Sequence, residues 1–360
     1  MKTRRGYIFS WYNSGRNYGQ TLQAYALQKV LRDMGYEVEH VCFGSNRGLS
    51  ETIISVIKDL RELSKTQRRI QKKFNTFIAN NMKTTERLKT DRDVHNFIKK
   101  RHPDFLICGS DQIWNPYNVH PFYYLAGIGD ESTNRIAYAV STCDERRKDK
   151  FLEYPEIEEW IKNINYVFVR ENSGKKILLE QYGVDSKVVL DPTLLMSGSN
   201  WARLLGLKKK TDNYVLCYAF NLTENQKSMI NESANRLGCS VKYGNILNGK
   251  EKEQESWSPC EFLEAIMNAK EVFTDSFHGT VFSILFHKEF IVFDNGNDIE
   301  SDPYYNIDRM NTLLSLLELN DRLVTEDKSK NLDEINYVRI DAILEVHRKE
   351  CLSLLRGSIA

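Results

Sequence analysis

The side chains best equipped for chemistry sit in four short polar segments, each at the start of a helical pattern or just past a β-rich run. The most informative is Phe273-Thr274-Asp275-Ser276-Phe277-His278-Gly279-Thr280. A helix start there offers backbone N–H groups without intrahelical partners and the positive end of a dipole, which suits an anion. Gly279 would let a ligand approach the backbone. His278 would stand beside that anion as a proton donor, a role to which histidine as a residue type is suited. The plainer reading is a histidine at a strand–helix turn, and both readings stay open. Val169-Arg170-Glu171 comes second: its arginine could hold a carboxylate or phosphate through two parallel hydrogen bonds, or pair with Glu171 or another acid. In Gly109-Ser110-Asp111-Gln112-Ile113-Trp114-Asn115-Pro116, Ser110, Asp111 and Gln112 suit sugar hydroxyls and the Trp114 indole suits a sugar ring. The same residues could instead hold their own loop together. Asn17 and Gln20, in Asn17-Tyr18-Gly19-Gln20-Thr21, could meet an acceptor or cap the first helix.

Other chemistries find little support. The seven histidines (40, 95, 102, 120, 278, 287 and 347) show no HExxH or paired ligand spacing, so no metal is expected. There is no P-loop, no GxGxxG and no G-x-S-x-G elbow, which argues against nucleotide hydrolysis, nicotinamide chemistry and a serine-hydrolase site. Seven cysteines occur without a C-x-x-C pair, which fits a reducing compartment. A formal net charge of +1 carries no signature of a nucleic-acid partner. The apolar run Tyr7 to Trp11 is too short for a signal-peptide core, and no apolar stretch approaches the ~18 residues of a membrane span. A cytoplasmic location is expected. Between Lys58 and Lys73, seven basic residues face two acids. They form a solvated helical face, or a patch leaning on anionic lipid at the inner face of the plasma membrane.

Positioning these segments takes alternating strands and helices. Gly6 to Trp11, Glu37 to Cys42, Asp104 to Cys108, Arg135 to Val140, Tyr166 to Val169 and Lys187 to Leu190 read as strands. Gln20 to Met34 is helical, with Leu27, Val30, Leu31 and Met34 on one stripe, and residues 51–100 read as a basic helical insertion. The alternation restarts after a Lys-rich connector at 208–213. Tyr214 to Ala219, Ser240 to Tyr243, Glu271 to Thr274 and Phe290 to Phe293 are strands. Glu224 to Leu237, a helix capped by Ser258 with Pro259 and Glu261, and Thr280 to Phe286 lie among them. Leu332 to Leu355 reads as one long helix. A chain of 360 residues exceeds one ordinary core. The expected fold class is therefore α/β, with two doubly wound Rossmann-like domains facing a cleft: 1–197 on the acceptor side, 198–330 on the donor side, and a C-terminal helix over 331–360.

Taken together and in order, these segments resemble the polysaccharide pyruvyl transferase family. The matching stretches are 17–27, 109–115, 137–141, 169–174, 190–195 and 258–293. The resemblance implies a GT-B-like fold, phosphoenolpyruvate as co-substrate with no further cofactor, and a cyclic pyruvate ketal on a hexose of an exopolysaccharide or capsule repeat unit. It places Arg170 and His278 in the donor site. It also marks a departure: where the family has the arginine and leucine of an R-L-H-G-like stretch, this chain has Ser276 and Phe277. Arg309 or Lys288 could supply the missing cation.

The expected site follows. His278 is the acid and Asp275 (or Asp111) a base for the hydroxyls. Arg170, Ser276, Phe277, Gly279 and Arg309 bind the donor. Asn17, Gln20, Ser110, Asp111, Gln112 and Trp114 bind the acceptor, which a lipid carrier could present. The alternative is a GT-B-type glycosyltransferase using a nucleotide sugar in the same kind of pathway.

Overall fold

The computed structural model describes residues 3–13, 17–44, 65–220, 222–244, 257–294, 304–324 and 332–360. They divide into two compact units, Met1–Leu195 with Glu350–Ala360, and Met196–Lys349.

The first unit is built on six parallel strands: β1 (Arg5–Phe9), β2 (Glu37–His40), β3 (Phe105–Cys108), β4 (Asn134–Val140), β5 (Tyr166–Val169) and β6 (Lys187–Val188), in the order β2-β1-β3-β4-β5-β6. Its inner strands read as continuous apolar runs because helices cover both faces of a parallel sheet. Phe105 to Cys108 are all buried, as are Tyr7, Ile8 and Phe9. Helix α1 (Tyr18–Asp33) packs Leu22, Ala26, Leu27, Val30 and Leu31 inward.

The basic insertion proves to be two helices, α2 (Lys65–Asn81) and α3 (Asp91–Arg101), and residues 51–64 of it lie outside the described residues. The break between the helices is extended, with Thr84 and Leu88 bridging to His40 and Phe43. A capping box at Thr90 and Asp93 restarts the helix. Later in the chain come α4 (Glu156–Lys162) and α5 (Asn172–Tyr182).

The second unit repeats the plan with five parallel strands: β7 (Tyr214–Tyr218), β8 (Ser240–Tyr243), β9 (Glu271–Thr274), β10 (Glu289–Phe293) and β11 (Leu323–Val324), ordered β11-β10-β9-β7-β8. Between and around them run α6 (Gly198–Leu205), α7 (Glu224–Arg236), α8 (Pro259–Asn268), α9 (Phe277–Leu285) and α10 (Asp308–Leu316). The expected start of α8 is present in full: Ser258 and Glu261 form a capping box with Pro at the first turn. The last helix, α11 (Tyr337–Ile359), starts five residues later than expected.

In each sheet the first strand lies between the second and the third. That is the point at which a doubly wound sheet reverses direction and opens a crevice beyond its strand ends. The crevice of the first unit lies beyond β1 and β3, and that of the second beyond β7 and β9.

Burial also sets an acid response. His40, at the end of β2, is completely buried; its ring nitrogens meet the Ala24 carbonyl at 3.1 Å and the Ser10 hydroxyl at 3.4 Å. Burial lowers its pKa to about 4. Between pH ~6.5 and ~4 the unfolded chain therefore binds a proton here that the folded chain does not. Stability falls as pH drops through that window, by about 3 kcal/mol for this group. His40→Gln is expected to flatten the curve of melting temperature against pH there, a difference that thermal scans of both proteins will measure.

Candidate functional site

The strand ends of the first sheet carry a buried ionic network. Arg170, one residue past β5, is only 3% exposed. Its Nη1 donates to Asp191 Oδ2 at 3.0 Å, and its guanidinium lies 3.7 Å from an Asp111 oxygen and 3.6 Å from Glu171. Burial opposes the guanidinium's charge, but Asp191, Asp111 and Glu171 outweigh it and raise its pKa above the ordinary value.

Each acid also fixes backbone. Asp191 Oδ1 accepts from the Thr193 N–H (2.9 Å) and hydroxyl (2.6 Å). Glu171 Oε1 accepts from the Thr142 N–H at 2.8 Å, and Asp111 Oδ1 from the Gln112 N–H at 2.9 Å. The Ser110 hydroxyl joins Asp191 at 3.2 Å and the Ala139 carbonyl at 2.8 Å. The three segments 109–115, 169–174 and 190–195 thus meet at one charge cluster. Among the described residues, Asp191, Asp111 and Glu171 all lie within 4 Å of the Arg170 guanidinium. Arg170, expected to bind the donor, is placed almost wholly buried against these acids of its own unit.

The expected acceptor residues are corrected for a related reason. Trp114 is fully buried, its indole stacked on Tyr124 (5.1 Å between centroids, 10° between planes) and its Nε1–H donated to the Tyr123 carbonyl at 2.7 Å. No face is left for a sugar. Ser110, Asp111 and Gln112 are buried as well. Gly109 shows why this loop is so closely specified. Its φ is +126°, and a Cβ would fall 2.0 Å from the Tyr138 carbonyl oxygen. Gln23, which sequence reasoning did not single out, joins the β1 loop, α1 and this loop. It donates to the carbonyls of Trp11 (3.0 Å) and Gln20 (2.9 Å) and accepts from the Ser110 N–H at 2.9 Å.

Asn17 is exposed and caps α1, its Oδ1 accepting from the Gln20 N–H at 3.1 Å. Asn17→Ala is therefore expected to cost about 1 kcal/mol in a urea titration and to leave the Michaelis constant for acceptor unchanged. Gln20 is half-buried on the same turn.

At the second sheet, α9 begins directly beyond β9. Ser276 is its N-cap, accepting from the Gly279 N–H at 3.3 Å. Gly279 serves packing rather than ligand approach: a Cβ there would lie 2.4 Å from Thr274 Oγ1 and 3.2 Å from the Tyr218 ring. Thr274 Oγ1 in turn donates to the Tyr218 carbonyl at 2.6 Å and accepts from the Ser276 N–H at 3.0 Å. His278 is 8% exposed and meets the buried Phe277 ring edge-on, with centroids 5.2 Å apart. Asp275 accepts from the Phe220 N–H with both carboxylate oxygens, at 3.0 and 2.9 Å. It therefore ties the loop after β7 to the loop after β9.

The two substitute cations separate cleanly. Lys288 precedes β10, at the edge of the sheet opposite α9's start, and donates to the Ala269 carbonyl at 3.0 Å. Burial, with Lys209 and Lys270, lowers its pKa. Arg309 lies in the first turn of α10, half-buried. The Tyr305 hydroxyl just before it donates to Asp294 Oδ1, 2.6 Å away, at the end of β10. β9, which leads to His278, and β10, which leads to Asp294, are parallel neighbours. Among the described residues no group of three or more His, Cys, Asp and Glu side chains could hold a metal ion.

Comparisons with known proteins agree with this architecture. The UDP-GlcNAc 2-epimerase from Methanocaldococcus jannaschii is 11% identical, with a TM-score of 0.51 over 96% of this chain and 93% of that one. At that identity the likeness shows the shared fold alone: two α/β domains of the GT-B type. The UDP-N-acetylglucosamine 2-epimerase from Rickettsia bellii is 11% identical over 100% of this chain and 97% of that one, with a TM-score of 0.47. No curated protein sequence matches. The model of the polysaccharide pyruvyl transferase family, however, matches residues 17–297, which take in β2 to β6 of the first sheet and β7 to β10 of the second, and the chain belongs to that family.

Proposed function

We propose that this transferase moves the pyruvyl group of phosphoenolpyruvate onto two hydroxyls of one hexose in a surface polysaccharide unit, closing a cyclic ketal. The observation that carries the reading is His278, held almost enclosed at the start of α9, at the crevice of the second sheet and inside the family's matched span. His278 gives a proton to C3 of the enol, and positive charge develops at C2. One sugar hydroxyl bonds to C2 and loses its proton. The C2–O bond to phosphate then breaks, with its electron pair leaving on phosphate. The second hydroxyl bonds to C2 and releases its proton, so that two protons depart for the one taken up.

Arg309 is the cation assigned to the donor, since Arg170 is already surrounded by acids. Ser276 and Phe277 support the site by capping α9 and walling the imidazole. No helix among the described residues is long and apolar enough to cross a membrane. A lipid-linked acceptor would be met at the inner membrane surface, from the cytoplasmic side.

The test is to offer phosphoenolpyruvate with galactosides, mannosides and glucosamine derivatives. Mass spectrometry should find a ketal-bearing product, with phosphate released in equal amount. Ser276, standing where the family pattern has arginine, favours one second reading, a glycosyltransferase using a nucleotide sugar. Stabilisation of the chain by uridine diphosphate but not by phosphoenolpyruvate in a thermal shift assay would decide for it.

A further inference from the structure

Phe220 stands two residues past the end of β7 and is 52% exposed, the one phenylalanine among the described residues with so much surface in water. Single exposed rings are common and mean little alone. Phe220 differs in how it is held and where. Its N–H is clamped by both oxygens of Asp275, a charge-assisted contact stronger than a neutral one. Its ring meets the Tyr218 ring edge-on, with centroids 5.9 Å apart and planes at 63°. Tyr218 is paired in register with Thr274, and Asp275 is the residue after Thr274. Phe220 and His278 therefore follow the carboxyl ends of β7 and β9, the neighbouring parallel strands that border the crevice of the second sheet.

Phosphoenolpyruvate has no ring to lay on an aromatic face, whereas a pyranose has an apolar C–H face that suits one. The indole expected to do this in the first unit is buried under Tyr124.

We propose that Phe220 is the platform on which the acceptor hexose lies, and that Asp275 is its positioning residue. The inference rests on the pyruvyl-transfer reading for the identity of the reaction, but its test does not require turnover. The probes are methyl galactopyranoside, methyl mannopyranoside and methyl N-acetylglucosaminide, titrated into the whole chain without donor and followed by saturation-transfer NMR. At least one should receive saturation on its ring C–H protons. For that glycoside, Phe220→Ala and Phe220→Leu should each raise Kd about tenfold, and Phe220→Trp should restore it.

Asp275→Ala should weaken the same glycoside without adding to the effect of Phe220→Ala. Asp275→Asn, which keeps one acceptor oxygen, should stay within about twofold of the parent. Three results overturn the proposal: no glycoside of the panel binds, Phe220→Ala or Phe220→Leu binds as the parent does, or the Asp275 and Phe220 effects add. A chain that binds glycosides through Phe220 yet forms no ketal would sink the functional reading and leave the platform standing. A ketal-forming chain indifferent to Phe220 would do the reverse.

Discussion

Arg170→Ala is expected to destabilise the folded chain by about 3–5 kcal/mol, the usual cost of removing one partner from a buried ion pair. Asp111, Glu171 and Asp191 would each lose this partner at a buried site. The sign of the pH response separates this role from ligand binding. A carboxylate left buried without its cation holds its proton more tightly folded than unfolded. The folded variant then gains protons on acidification that the unfolded chain does not, so its deficit shrinks as pH falls from neutrality towards 5. An arginine that served only the donor would, when removed, leave stability nearly unchanged and raise the Michaelis constant for phosphoenolpyruvate. Denaturant titrations of both proteins at two pH values distinguish the cases.

His278→Ala should have the opposite profile. Positioned acid catalysis is worth about 10²–10⁴ in rate, and turnover should fall by that factor. The fold should persist, because Ser276 still caps α9 and Phe277 still packs at its start. Product formation in a stopped assay gives the rate, and circular dichroism melting gives the fold. A variant that keeps its rate removes the imidazole from the chemistry. A variant that loses its melting transition instead makes His278 a packing residue.

The elements that the sequence made legible were those whose physics is local. Phe105 to Cys108 are apolar on both faces, a pattern that suits a covered parallel strand, and Val272 with Phe273 repeats it at the centre of β9. The start of α8 was written in its capping box. The interruption between α2 and α3 was missed because it depends on Thr84 and Leu88 bridging to residues some forty positions earlier.

The site divides in the same way. That Arg170 and His278 follow strand ends was visible from local patterns. That Asp191 turns back onto Arg170 depends on β5 and β6 being neighbours, which pairs residues 21 positions apart. Trp114 in a polar loop suggested sugar binding, yet Tyr124 covers it, a contact that depends on a helical turn after the loop. Phe220 offered no sequence signal at all, because its significance comes from Asp275, 55 residues away.

The final eleven residues group with the first unit rather than with the unit that precedes them. Leu355 and Ile359 are fully buried, Cys351 Sγ accepts from the Leu190 N–H at 3.4 Å, and the Arg4 guanidinium reaches the Ile359 carbonyl at 2.5 Å. During synthesis, a nascent chain that has already released its first 195 residues still lacks the segment that completes their packing. That unit can therefore close only once residues 350–360 have followed, through contacts of very high sequence separation, which are entropically slow to form.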